Sequence, residues 1–267
     1  MLNTVRVAVT GALGRMGQEV VKMVVRDPEL TLAAAIDAKH VGEDIGEILG
    51  LGTLGVKIQD QLEIALLESK AKVMVDFTTP HVVKRNMEVA IASGVHPVVG
   101  TTGLSHDELS ELDKLCRESG ISALVAPNFA IGAVLMMKFS EMAAKYMPHV
   151  EIIELHHDQK LDAPSGTAIK TAELIRKVRN ELKQGQPNEK ELIEGSRGGY
   201  MDGFRIHSVR LPGLVAHQEV IFGSLGQTLT IRHDSIHREG FMPGVNLAIK
   251  KVMELHGLVY GLENIMD

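Results

Sequence analysis

Residues 5–21, VRVAVTGALGRMGQEVV, join a nearly continuous apolar run to an amphipathic stretch through three glycines. A strand that is apolar on both faces must be covered on both, which places it inside a sheet flanked by helices. The same alternation recurs through the first half of the chain: LTLAAAID, then KVMVDF with HVVKRNMEVAIASG, then HPVVG and ISALVAP. Parallel strands separated by covering helices are the architecture it predicts, an α/β fold with a Rossmann-type doubly wound parallel sheet. In SHDELSELDKLCRESG the helix limits are explicit, because Ser105 and Glu108 form a capping box, Leu109, Leu112 and Cys116 repeat at helical spacing, and Gly120 ends the run. Cys116 on that stripe reads as core rather than as a nucleophile, having no base nearby in sequence.

After residue 128 the texture changes. A helical stretch, IGAVLMMKFSEMAAKYM, leads to the strand VEIIELHH and to a helix that starts near Ser165. The polar run 184–199 has the composition of a mobile surface loop, and FRIHSVRL, LVAHQEVIF and QTLTIRH, separated by glycine-bearing turns, read as an antiparallel meander. A helix from about Val245 closes the chain. The expected organisation is a dinucleotide-binding domain over 1–128 and a second, α+β domain with a mostly antiparallel sheet over 129–238.

Charge and cysteine usage narrow the partners. With 28 Lys and Arg against 34 Asp and Glu, and no basic cluster, neither a nucleic acid nor an anionic membrane surface is an expected partner. A single cysteine permits no intrachain disulfide, and the first residues lead into a strand without a leader pattern, so a reducing, cytoplasmic setting is expected. No run of about eighteen apolar residues is present to span a membrane.

Gly11, Gly14 and Gly17 sit between the first strand and the first helix, where a backbone without side chains can approach a pyrophosphate at the positive helix end. Asp37 ends LTLAAAID twenty residues after Gly17, the place from which a carboxylate accepts from adenosine ribose hydroxyls. It favours NADH, whereas Lys39 and His40 beside it could pair with a 2′-phosphate, so either NADH or NADPH is the expected cofactor. Two later strands end in threonine-rich turns, placing Phe77, Thr78, Thr79, Gly100, Thr101, Thr102 and Gly103 at the carboxyl edge of the sheet, where ligands bind in such folds.

The second concentration of chemistry is ELHHDQKLDAPSGTA, residues 154–168. Successive strand side chains point to opposite faces, so His156 and His157 cannot both face one ligand unless the strand breaks between them. Lys160 lies just beyond, and Ser165, Gly166 and Thr167 open a helix whose free N–H groups make a pocket for a carboxylate or phosphate. No metal is expected: His156, His157, His207, His217, His233 and His237 lie in this half, but the ligand spacing of a zinc helix is absent.

GALGRMG, VGTTG, APNF, ELHHDQKLDAPSGTA and HDSIHREGF, in this order and across nearly the whole chain, closely resemble the 4-hydroxy-tetrahydrodipicolinate reductase (dihydrodipicolinate reductase) family. The resemblance implies an NAD(P)H-dependent reduction of a cyclic dicarboxylate in lysine and diaminopimelate biosynthesis, by two domains that close over the substrate. It makes His156 the proposed general acid and Lys160 the proton donor or activating cation, with His157, Ser165, Gly166, Thr167 and Arg238 holding substrate carboxylates. On the nucleotide side it implies contacts at Gly11, Arg15, Met16, Asp37, Gly100, Thr102, Ala126, Asn128 and Phe129. The family pattern further implies that a C-terminal helix, 239–267, packs back on the first domain and that the meander builds a homotetramer. Leu13 departs from the commoner glycine fingerprint and stiffens the turn. Among other classes, a short-chain dehydrogenase would need Tyr-x-x-x-Lys, which is absent, and a semialdehyde dehydrogenase would need a placed nucleophilic cysteine. A dinucleotide-binding redox-sensing regulator without turnover is the alternative from outside enzymology.

Overall fold

Strand β1 (Val5–Thr10) is buried from Val7 to Thr10, as a run apolar on both faces requires. The structure, a computed structural model, describes residues 4–180 and 182–266. It divides the chain into two units, Met1–Phe129 with Phe241–Asp267, and Ala130–Gly240.

In the first unit β1 is followed by α1 (Arg15–Arg26), β2 (Leu30–Ile36), a short α2 (Ile45–Ile48), β3 (Ile58–Gln59), α3 (Leu62–Ser69), β4 (Val73–Asp76), α4 (Val83–Ala92), β5 (His96–Val99), α5 (His106–Ser119) and β6 (Ala123–Val125). α5 shows the cap read from sequence: Ser105 accepts from the Glu108 N–H at 3.3 Å, Glu108 accepts from the Ser105 N–H at 2.8 Å, and Gly120 ends the helix in the left-handed conformation. Cys116 is fully buried among Met87, Ile91, Val99 and Leu112, and burial pushes its thiol up to about 11. A second cluster joins Ala8, Ile36 and Met74 of the sheet to Ala65 and Leu66 of α3.

The second unit contains α6 (Ile131–Ala144), β7 (His149–His156), α7 (Gly166–Val178), β8 (Gly199–Met201), β9 (Phe204–Arg210), β10 (Ala216–Ser224) and β11 (Gln227–Ser235). Its sheet runs β11-β10-β7-β9-β8, and α6 and α7 pack together on one face. This corrects the expected meander. β10 and β11 form an antiparallel hairpin, but β7 lies between β10 and β9 and pairs parallel with β9. β7 alternates buried and half-buried positions along its length, and a strand so covered belongs in the sheet centre. The polar run 184–199 is held to the start of the central strand β7: the Gln184 amide bonds both main-chain groups of Val150, and Arg197 pairs with Glu151 at 2.8 Å.

The C-terminal segment returns to the first unit but is not one helix over 239–267. A 3-10 turn, Arg238–Phe241, leads into α8 (Met242–Lys251), a second turn follows at Val252–Glu254, and β12 (Leu258–Tyr260) then pairs parallel with β6 at the sheet edge. Gly257 (φ +68°) and Gly261 (φ +97°) bracket this strand in backbone conformations that no helix includes. The completed seven-stranded sheet has the order β12-β6-β5-β4-β1-β2-β3, all parallel. α8 packs along α1, where Asn246 donates to Asp27 at 2.6 Å and Lys250 pairs with Asp27 at 3.0 Å. No described helix is long and apolar enough to cross a membrane.

Backbone approaches backbone closely at the first glycine turn. A Cβ on Gly17 would stand 2.0 Å from the Gly11 carbonyl oxygen, so the start of α1 could not sit where it does with any side chain there. Gly17→Ala is expected to lower unfolding free energy by about 1–3 kcal/mol in urea titrations; an unchanged midpoint would contradict this packing.

Candidate functional site

β1 and β4 are neighbours, and the chain leaves them in opposite directions across the sheet, which makes their carboxyl ends the topological switch point of the first unit. Gly11 has φ +69°, and a Cβ on it would lie 2.7 Å from the Phe77 carbonyl oxygen, so the turn after β1 rests directly on the end of β4. Gly14 caps α1 with no side-chain hydrogen bond, and the first turn holds no acidic residue, leaving the positive helix end without an internal anion. Arg15 is exposed and Met16 half-buried beside it. Leu13 needs no glycine, because positive φ in this turn falls on Gly11. Its N–H instead donates to Asp37 at 3.0 Å, and the other Asp37 oxygen takes the Lys39 N–H at 3.2 Å. Asp37 thus braces the glycine turn while standing half-buried at the end of β2, with Lys39 exposed next to it. A helix start free of protein anions, a side-chain-free cradle and a carboxylate at the end of β2 together fit a dinucleotide.

The threonine-rich turns are organised by a residue that sequence reasoning missed. Asp76, at the end of β4, has no exposed surface. One of its oxygens accepts from the Thr78 N–H at 3.0 Å and from the hydroxyls of Thr78 and Thr101 at 2.7 and 2.8 Å. The other accepts from Thr10 at 3.0 Å and from the Asn86 amide at 2.8 Å. Two hydroxyls expected to face a cofactor therefore point inward, and of that pair of turns Thr79, Thr102 and Gly103 are the exposed members. Gly100 and Gly103 lack side chains where a Cβ would stand 2.1 Å from the Phe77 ring and 2.8 Å from Pro80. Phe77 in turn packs on Phe129 with ring centroids 5.9 Å apart, and Ala126 is buried beside the end of β5. The sequence signal for Asp76 was present, a carboxylate ending an otherwise apolar strand.

In the second unit the strand does break between the two histidines. His156 is the last residue of β7 and half-buried, whereas His157 lies in the following loop and is exposed. Lys160 pairs with Asp162 at 2.6 Å. The loop passes a cis Ala163–Pro164 bond into Ser165, which caps α7 by accepting from the Ala168 N–H at 3.2 Å, with Gly166 and Thr167 in the first turn. Arg238 is exposed at the start of its 3-10 turn.

The centre of this site is Glu154, fully buried on β7. It accepts from His156 Nδ1 at 2.5 Å, from two Arg210 nitrogens at 2.9 and 2.7 Å, and from the Ser165 N–H at 3.3 Å. Arg210 also donates to the Asp162 carbonyl at 2.7 Å. Burial raises the Glu154 carboxyl pKa, but the bonds from Arg210, Ser208 and His156 outweigh it and hold the group below its ordinary value. Burial, aided by the nearby Lys160 and Arg210 cations, holds the His156 imidazole below its ordinary value against the pull of Glu154. Glu154 and Arg210 went unread in the sequence although two-residue strand periodicity puts Glu154 on the His156 face. Arg210 reaches it only through the parallel pairing of β9 with β7, which the expected meander of the three later strands did not include. Among the described residues no group of three or more His, Cys, Asp or Glu is placed to hold a metal ion.

The family models for the N-terminus and C-terminus of dihydrodipicolinate reductase match residues 5–129 and 132–266. A 4-hydroxy-tetrahydrodipicolinate reductase of Desulfitobacterium hafniense is 57% identical over 267 residues, covering 100% of both chains. That of Geobacillus kaustophilus is 56% identical over 264 residues, covering 99% of this chain and 100% of the relative. Among solved structures, a dipicolinate-bound dihydrodipicolinate reductase from Paenisporosarcina sp. TG-14 superposes with a TM-score of 0.90 at 50% identity, covering 98% of this chain and 100% of that one. An amine dehydrogenase from Mycobacterium smegmatis shares the fold, with a TM-score of 0.67 at 14% identity over 96% of this chain and 94% of that one.

Replacing Asp76 by Asn keeps the shape but turns one acceptor into a donor that faces existing donors. Asp76→Asn is expected to cost about 1–3 kcal/mol of unfolding free energy and to weaken NADH binding, read by urea titration and by quenching of NADH fluorescence. Wild-type stability and affinity in this variant would refute the organising role.

Proposed function

The chain belongs to the dihydrodipicolinate reductase family, and from that premise we propose that it reduces 4-hydroxy-tetrahydrodipicolinate to tetrahydrodipicolinate with NADH or NADPH, a step of lysine and diaminopimelate biosynthesis. It is an oxidoreductase and a dinucleotide-binding one. The observation that carries the substrate assignment is the meeting, through one buried carboxylate, of a half-buried imidazole and the start of α7.

When bound, the reduced nicotinamide supplies hydride from its C4. Gly11, Gly14 and Gly17 and the first N–H groups of α1, with Arg15 and Met16, would hold the pyrophosphate, and Asp37 would take the adenosine ribose hydroxyls. Lys39, exposed beside Asp37, is the group available to a 2′-phosphate. Phe77, Gly100, Thr101, Thr102, Gly103, Ala126, Asn128 and Phe129 are assigned to the nicotinamide half, with Thr101 acting through Asp76 and its main chain. In the second unit, His156 delivers the proton that compensates charge developing on the reduced ring, and Lys160 supplies positive charge nearby. One substrate carboxylate meets the N–H groups of Gly166 and Thr167 and the hydroxyls of Ser165 and Thr167; the other meets His157 and Arg238. Two separated anchors are needed because fixing both ends of a planar ring presents one face to the hydride.

A homotetramer is proposed as well. α6 and α7 cover one face of the second sheet, and β11 is exposed at most of its positions, which leaves surface for other copies. Light scattering of the native protein should return the mass of four chains; a monomer would refute it.

Oxidation of NADH on adding freshly generated substrate tests the function. His156→Gln and Lys160→Ala are each expected to lower kcat by about 10²–10⁴ with NADH binding retained. Because the acid must be protonated and burial holds His156 below the ordinary histidine value, kcat should fall as pH rises, with the fall lying below the range of an ordinary histidine. A fall only above about pH 9 would give the proton to an amine instead. Asp37→Asn, which keeps an acceptor for the Leu13 N–H, should weaken NADH more than NADPH; equal losses would exclude the ribose contact.

A further inference from the structure

A fully buried glutamate on the core face of a central strand is costly unless every lone pair is engaged, so its retention at this position calls for a physical reason. Glu154 lies in register with Gln218 of β10 and Ser208 of β9, a polar row across three strands on the side where α7 packs. Gln218 donates to the Thr171 hydroxyl at 2.8 Å, and Thr171 donates to the Thr167 carbonyl at 2.8 Å, so the row reaches the first turn of α7 by a second route. We propose that Glu154, locked by Arg210, is a positioning residue for the reduction. It holds His156 as the Nδ1–H tautomer, with Nε2 the atom that carries the transferred proton, and it fixes the Ser165 amide at the carboxylate-binding helix start.

The geometry assigns the tautomer. Ionised Glu154 has only acceptors, so the 2.5 Å contact requires a hydrogen on Nδ1. The neutral ring then carries its lone pair on Nε2, and protonation there makes the imidazolium that acts as acid. Two Arg210 nitrogens occupy the same carboxylate, and the guanidinium ties it to the Asp162 carbonyl next to Lys160's partner. The charged groups facing His156 are therefore Glu154 on its own strand, Arg210 on β9, and Lys160 in the loop. Glu154 is the one that favours the imidazolium. Its effect on rate should appear in kcat and in pH dependence, with the coenzyme KM left alone.

The proposal rests on His156 being the proton donor, and two measurements keep the two ideas separable. In the uniformly ¹⁵N-labelled full chain, with His156→Gln used for assignment, neutral His156 should show a protonated Nδ1 and an unprotonated Nε2. The opposite tautomer overturns the proposal whether or not the protein turns substrate over. In kinetics, Glu154→Gln should lower kcat about tenfold at neutral pH and move the high-pH limb down by about one unit, with the KM for NADH unchanged. An unshifted limb in folded Glu154→Gln overturns the positioning role and leaves only a structural one. Should Glu154→Gln fail to fold, Glu154→Gln combined with Arg210→Met removes the orphaned cation, and its limb is read against that of Arg210→Met alone, so that the effect of losing Arg210 cancels: a downward shift is expected and none overturns the positioning role. Wild type with the expected tautomer but no turnover would overturn the reductase reading while sustaining the geometry.

Discussion

A carboxylate taken out of water must have its lone pairs met by donors, and in this chain that requirement shapes the carboxyl end of a central strand in each unit. Asp76 and Glu154 each lie on a central strand, at its end or two residues before it, and each has no exposed surface. Five donors from β1, α4 and two turns converge on Asp76. Donors from β7, β9 and the cap of α7 converge on Glu154. Leaving any of these unmade costs the desolvation of a buried charge, so the loops that supply them have little conformational freedom.

The two hubs do different work because their donors differ. Around Asp76 they are mostly neutral hydroxyls and amides, which suits a scaffold that must keep three turns in place without adding charge beside a dinucleotide. Around Glu154 they include a guanidinium and an imidazole, so the hub sets the electrostatics of the His156 ring as well as its position. Burial alone disfavours the protonated form of His156, and Arg210 and Lys160 disfavour it further; the carboxylate opposes all three. Removing it would leave a cationic cluster with an imidazole that resists protonation.

Both units use the same local device at the ligand edge, a helix start approached by a chain with small side chains. At α1 three glycines give the close approach and no side chain caps the helix. At α7 Ser165 caps, Gly166 follows, and Glu154 takes one main-chain amide from outside the helix. Unsatisfied N–H groups at such ends are suited to phosphate in the first case and carboxylate in the second.

Much of this was legible in the linear chain. The apolar runs, the capping box at Ser105, the glycine turn and the H-H-x-x-K-x-D-A-P-S-G-T string depend on short-range chemistry, since propensity, capping and strand-end turns are settled within a few residues. The pairing of His156 with Glu154 was also within reach, because it needs only the two-residue period of a strand. What the sequence could not decide was which strands lie side by side. β9 was placed beside β10 by adjacency, whereas the tertiary fold sets β7 between them and so delivers Arg210 to Glu154. The conversion of Leu258–Tyr260 into a sheet edge likewise depended on β6 being there to pair with it. Strand order and long-range ion pairing follow from burying every face at once, a condition that exists only in the assembled molecule.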